Sequence, residues 1–137
     1  MTIMEFSEIE IGAVYSFSRT ISCEDLSAFA GLSGDFNPLH VDPDFGEKSV
    51  FKANVVHGML LGSFFSALVG MYCPGEKSLY LSQTVNFKLP VFIGDTIIAK
   101  AMVVDKSESI KIITLKTEIL KNDKVAVYGE AKVKVLD

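Results

Sequence analysis

The sequence predicts an α+β domain in which a curved antiparallel β-sheet wraps around one long buried central helix. Two observations carry that expectation. The stretch from Gly58 to Cys73 has no charged residue and is apolar almost all round, which a helix tolerates only when other elements enclose it. The second half of the chain is a series of runs with apolar residues at every other position. Their connections are short, which suits antiparallel pairing and leaves no room for helical crossovers.

Each element has its own signal. Ala13 to Ile21 reads as a first strand with Tyr15, Phe17 and Ile21 on one face. Ser22, with Asp25 at the third helical position, opens a short helix through Leu26, Phe29 and Ala30, which Gly31 and Gly34 end. Asp35 to Glu47 is rich in Asn, Pro, Asp and Gly and is expected as a shaped loop without regular structure. His57-Gly58 opens the central helix and Pro74-Gly75 stops it, with Met59, Phe64, Phe65 and Met71 expected in the core. Leu79, Leu81, Val85, Phe87 and Leu89 mark the inward face of the next strand. Ile97, Ala99, Ala101 and Val103 follow, then Ile113, Leu115, Thr117 and Ile119. Val125, Val127, Ala131, Val133 and Val135 complete the series, and Asn122-Asp123 is a two-residue hairpin turn. A meander folded around a helix is the hot-dog arrangement. With no repeat, linker or low-complexity tract, residues 1–137 are expected to be one domain.

Composition narrows the function. Thirteen basic residues stand against 17 acidic ones, for a net charge of −4, and the basic residues are scattered, so no nucleic-acid partner is expected. Apolar residues make up 49% and charged ones 22%, the profile of a folded domain. Met1 to Glu10 carries three Glu and no basic cluster, unlike a secretory leader. The apolar stretch from Gly58 to Cys73 is only 16 residues, with Gly62, Ser63, Ser66 and Gly70 among them, and falls short of a membrane span, which needs ~20. Cys23 and Cys73 lack metal or redox spacing and are expected to be small core residues in a reducing, cytoplasmic setting.

The chemistry-bearing segment is Asp35-Phe36-Asn37-Pro38-Leu39-His40. An Asp and a His five positions apart on a Pro-stiffened loop can converge on one water and work as an acid–base pair. On spacing alone, an Asx turn with a histidine that serves backbone groups fits equally. His57, at the helix start, is open to a catalytic reading, but a capping or loop-anchoring role is favoured. Ser63 lacks a nucleophile elbow. Two histidines without a cysteine or carboxylate at ligand spacing lead us to expect no metal.

Phe29 to Asp42, F-A-G-L-S-G-D-F-N-P-L-H-V-D, resembles the signature of the MaoC-like, R-specific enoyl-CoA hydratase family. Val56-His57-Gly58-Met59-Leu60 is similar to its second block. Asn86 to Val91, followed by Gly94-Asp95, is similar to its third, so the resemblance runs from about Ile11 to Val135. It implies that Asp35 and His40 activate the water added to C3 of a trans-2-enoyl-CoA and handle the proton at C2. It implies that Asn37 shapes the loop, that Ser66 bounds the acyl pocket, and that the Gly58 N–H donates to the thioester carbonyl. A helix N-terminus suits the negative charge that develops on that oxygen. No cofactor is implied, since coenzyme A is part of the substrate. Within that family the chain resembles the short, single-domain bacterial hydratases that feed polyhydroxyalkanoate synthesis. Relatives of this fold pair protomers near the site, and the edge strands left by one curved sheet agree with a homodimer or higher homo-oligomer. The competing readings are a hot-dog acyl-CoA thioesterase, whose family generally lacks D-x-N-P-x-H, and a non-catalytic acyl-CoA-binding module. Lys48, Lys52 and Lys88 are candidates for the coenzyme A phosphates.

Overall fold

Alternation in the C-terminal half translates directly into paired strands. In the computed structural model, which describes Met1–Asp137, β4 (Thr96–Ser107), β5 (Ile112–Lys121) and β6 (Lys124–Val135) form an antiparallel meander. Ile97, Ala99, Ala101, Val103, Ile113, Leu115, Thr117 and Ile119 all point inward at 0% exposure, as the period of two requires. The buried Thr117 hydroxyl accepts a 2.9 Å hydrogen bond from the Gln83 amide, so its burial leaves no orphan. Asn122 and Asp123 both take positive φ, 50° and 63°, the turn that matches strand twist. A bulge between Ile119 and Leu120 shifts the next residues, so that Ala126 is buried and Val125 only half-buried.

The flanking strands depart from a simple meander. β1 (Val14–Thr20) pairs with β4 at one edge, and β2 (Ser78–Gln83) pairs with β6 at the other. The order is β1-β4-β5-β6-β2, with the two-residue β3 (Asn86–Phe87) also on β6. The helical segment carries the chain from one edge to the other. On β2 the inward face is the reverse of the one expected: Tyr80 packs into the core, while Leu79 and Leu81 are exposed. Alternation defines two faces without saying which is inside. The large Tyr80 ring wins here because its hydroxyl finds the Gln83 side chain, and a bulge follows between Tyr80 and Ser82. Phe87 and Leu89 are likewise exposed rather than inward.

The helices begin with α1 (Cys23–Ser33), where Ser22 and Asp25 form a complete capping box. Gly34, at φ 84°, ends the helix; Gly31 lies inside it. Cys23 is exposed at its start, and only Cys73 is a core residue. The segment expected as an irregular loop holds two short helices, α2 (Pro38–Val41) and α3 (Pro43–Lys48). Its turn-forming residues act as caps: Asn37 and Asp42 accept backbone N–H groups, each directly before a proline at the first helical position. The central helix α4 (Gly58–Ala67) continues into a π-helical turn, Leu68–Tyr72.

The core has two parts. Leu61 and Phe65 of α4 pack with Ala99, Ile119 and Val127 in one cluster. Val69 and Cys73, at and after the π-turn, pack with Ile9, Leu115 and Val133 in the other. Enclosure of the helix is incomplete. Met59, Ser63, Ser66 and Met71 lie exposed along one face, so neither methionine belongs to the core. No helix is long and apolar enough to cross a membrane.

Candidate active site

The Asp35–His40 turn is shaped by side chains that capture backbone N–H groups. Asp35 Oδ1 accepts the Asn37 N–H at 3.2 Å, and Asn37 Oδ1 accepts the Leu39 N–H at 3.0 Å. Asn37 thereby caps α2, and Pro38 fixes its first turn. His40 follows two residues later, with Nδ1 2.6 Å from the Val55 carbonyl oxygen. A carbonyl only accepts, so Nδ1 carries a hydrogen, and in the neutral ring Nε2 keeps its lone pair. The Val55 N–H returns a 3.2 Å bond to Leu39 O, and Val56 N–H bonds to Val91 O at 2.8 Å. His40 is therefore anchored to the sheet side of the site as well as to its own helix.

Two residues beyond the motif hold this arrangement. The Asn54 amide donates to the carbonyls of Leu39 (3.0 Å) and Asp42 (2.8 Å), with Pro38 O at 3.4 Å. Gly46 must be glycine for this to happen: a Cβ there would lie 2.5 Å from Asn54 Nδ2 and 2.8 Å from Ala53 C. No sequence signal singled out Asn54. The bonds run from one side chain to several carbonyls about 15 positions away, and neither pattern nor propensity reports that.

His57 is buried beneath the pair. Its ring stacks on His40 with centroids 4.0 Å apart and planes 24° apart, and Phe29 lies 4.8 Å from it. Its side chain caps no helix N–H, so capping is not its role; its Nε2 lies 3.1 Å from the Asp35 carbonyl oxygen, as loop anchoring requires. Asp35, His40 and His57 offer donor atoms within 4.8 Å of one another. The sequence offers no carboxylate at metal-ligand spacing from the histidines, but spacing along the chain does not measure separation in space. The set nonetheless suits a shared cation poorly. Imidazole lone pairs lie in the ring plane, and two stacked rings aim them side by side rather than at one point.

These residues line a cavity of about 530 Å³, with Asp35, His40, His57 and Gly58 at its polar end and Phe51, Leu61, Phe87, Val91 and Val127 among its apolar walls. Gly58 is the first residue of α4, so its N–H has no partner within the helix. A Cβ on Gly58 would lie 2.6 Å from Phe87 Cε1. Phe87 thus roofs the helix N-terminus, a role hidden in a sequence that suggested only an inward strand position. Lys88 also lines the cavity; Lys48 and Lys52 do not. Ser66 stands outside it, on the exposed face of α4. The cavity meets the first turn of the helix, and Ser66 lies two turns further on.

The model of the MaoC like domain family matches residues 7–130. An (R)-specific enoyl-CoA hydratase of Aeromonas caviae is 44% identical over 133 residues, 96% of this chain and 99% of that one. The solved structure of an (R)-hydratase from A. caviae involved in PHA biosynthesis superposes with a TM-score of 0.91 at 45% identity, over 93% of this chain and 97% of the other. A solved R-hydratase from Pseudomonas aeruginosa gives a TM-score of 0.92 at 32% identity, over 96% and 85%.

Proposed function

The chain belongs to the MaoC-like domain family, and from that premise we propose that it is an (R)-specific enoyl-CoA hydratase, a hydro-lyase interconverting trans-2-enoyl-CoA and (R)-3-hydroxyacyl-CoA. The observation that carries this reading is the convergence of Asp35, a His40 whose Nδ1 is held by Val55 O, and the free Gly58 N–H on one cavity with apolar walls.

The pair has room for a single water. A water bonded to two acceptors about 2.8 Å away spans about 4.6 Å between them, and an upper bound of 4.8 Å on the distance from an Asp35 carboxylate oxygen to a His40 ring nitrogen admits that span. His40 Nε2 takes a proton from that water as its oxygen bonds to C3. The pair returns a proton to C2, so one water hydrogen ends on C2 and hydroxide ends on C3. Delivery from one side of the double bond gives syn addition and a single enantiomer. Meanwhile negative charge grows on the thioester oxygen, where the Gly58 N–H and the α4 N-terminus stabilise it; one such donor is typically worth ~2.7–4 kcal/mol. Asn37 keeps the turn in shape, and the water needs no metal or separate cofactor. Lys88, at the cavity wall, is the candidate partner for a coenzyme A phosphate. As in the A. caviae relative, the product suits polyhydroxyalkanoate synthesis.

We further infer a homodimer in a reducing cytoplasm. The exposed face of α4 and the edge strands β1 and β2 give a second copy surfaces to cover, and two free thiols fit a reducing setting. A fully active monomer at micromolar concentration in light scattering would remove the dimer.

Crotonyl-CoA tests the activity. The enoyl-thioester absorbance should fall without release of free thiol, and the product should be the (R) isomer. Thiol release would select a thioesterase, an unchanged spectrum a binding module, and an (S) product would overturn the assignment.

A further inference from the structure

We propose that His57 is a positioning residue, which holds Asp35 through its main chain and His40 through its ring face. This rests on the hydratase reading above and adds a third residue to its pair.

His57 is 2% exposed, and its two nitrogens have unequal surroundings. Nε2 faces the Asp35 carbonyl oxygen at 3.1 Å and must carry the hydrogen. Nδ1 is then a bare lone pair, buried and without a partner. Such orphans are uncommon in folded proteins, because the group loses water and gains nothing. A leucine would avoid that loss and fill similar space, so packing alone gives no reason for a histidine here.

The reason lies in the two neighbours. The Asp35 carboxylate projects from a turn whose carbonyl would otherwise be free to rotate, and the His57 N–H pins that peptide. His40 is held at Nδ1 by one bond to Val55 O, an axis about which an imidazole can swing. The His57 ring, backed by Phe29 on α1, lies against the His40 face and removes the swing. One side chain thus fixes the carboxylate and the lone pair relative to each other. Misplacement of reacting groups by about 1 Å can lower rates ~10²-fold, so the effect belongs in turnover rather than in binding.

The test compares His57→Leu with His57→Gln in the full-length chain. Gln places an amide N–H near the position of the histidine Nε2, which restores the bond to Asp35 but not the ring face. With crotonyl-CoA, His57→Leu should lower kcat by roughly 10- to 100-fold, leave KM within about threefold, and leave the thermal midpoint unchanged or higher. His57→Gln should recover several-fold of that kcat. Imidazole ¹⁵N NMR gives a readout without substrate, since the chain has only two histidines. His57 should appear protonated at Nε2 and bare at Nδ1, and the His40 signals should change in His57→Leu. A Leu variant that keeps kcat within twofold would overturn the proposal. So would one that loses kcat only in proportion to unfolded protein, one that raises KM alone, or a His57 protonated at Nδ1. A wild-type chain inert toward crotonyl-CoA would sink the hydratase reading instead, and the ¹⁵N arm tells the two failures apart.

Discussion

In the β4–β5–β6 meander, each inward residue is fixed by its neighbours' volume and by a ladder of backbone bonds. Between Asp35 and Gly58 the chain is held differently. Asn37, Asp42 and Asn54 bond to backbone, prolines set two helix starts, and few side chains are buried. The first region stores stability without presenting reactive groups. The second presents them on turns whose shape depends on a few polar bonds. Substitutions should therefore separate into those that cost stability and those that cost turnover.

The sharpest break should come at the pair itself. Asp35→Asn and His40→Gln should each remove nearly all turnover, on the order of 10²–10⁴-fold, with the thermal midpoint within a few degrees of wild type. The double variant should be little worse than either single one, because the two act on one water. A folded Asp35→Asn chain that kept more than roughly a tenth of its turnover would refute the assignment. The opposite pattern is expected in the sheet. Leu115→Ala should lower stability by about 2–5 kcal/mol in denaturant unfolding, while the rate per folded molecule stays near wild type.

Asn54→Ala sits between the two regions. It removes the clamp on the Leu39 and Asp42 carbonyls, so it should cost about 1–3 kcal/mol and several-fold in kcat together. Loss of stability alone would mean that the turn is held by its prolines. Ser66→Leu should have the smallest effect. It lies beyond the cavity on the open face of α4, which only a long acyl chain could reach. Hydration of C8 substrates should fall a few-fold more than that of C4, and equal losses would place Ser66 outside the acyl path altogether.

How much of this is legible in the sequence follows the same division. The meander's inward residues and the Asn122-Asp123 turn follow from a period of two and from local turn chemistry. Asp35, His40 and Gly58 were legible through their motif blocks. Other features were not. The Tyr80 face of β2 depends on a hydroxyl partner and a bulge. α2 and α3 arise because turn-forming residues also serve as helix caps. The packing of His57 on His40 joins residues 17 positions apart, and no local pattern encodes it. The exposed face of α4 escapes for another reason: an apolar helix looks enclosed whether its own chain or a second copy does the enclosing.

The division of the core into two clusters gives the molecule a built-in chemical clock. Cys73 lies in the cluster beneath the π-turn at 0% exposure, and burial pushes its thiol up to about 11. Cys23 is exposed at the start of α1. A thiol reagent should therefore modify Cys23 at once and Cys73 only during excursions that lift the π-turn from the sheet. The slow phase measures how often that half of the core opens, and its comparison with the global unfolding rate tells whether the half beneath the active site opens with it.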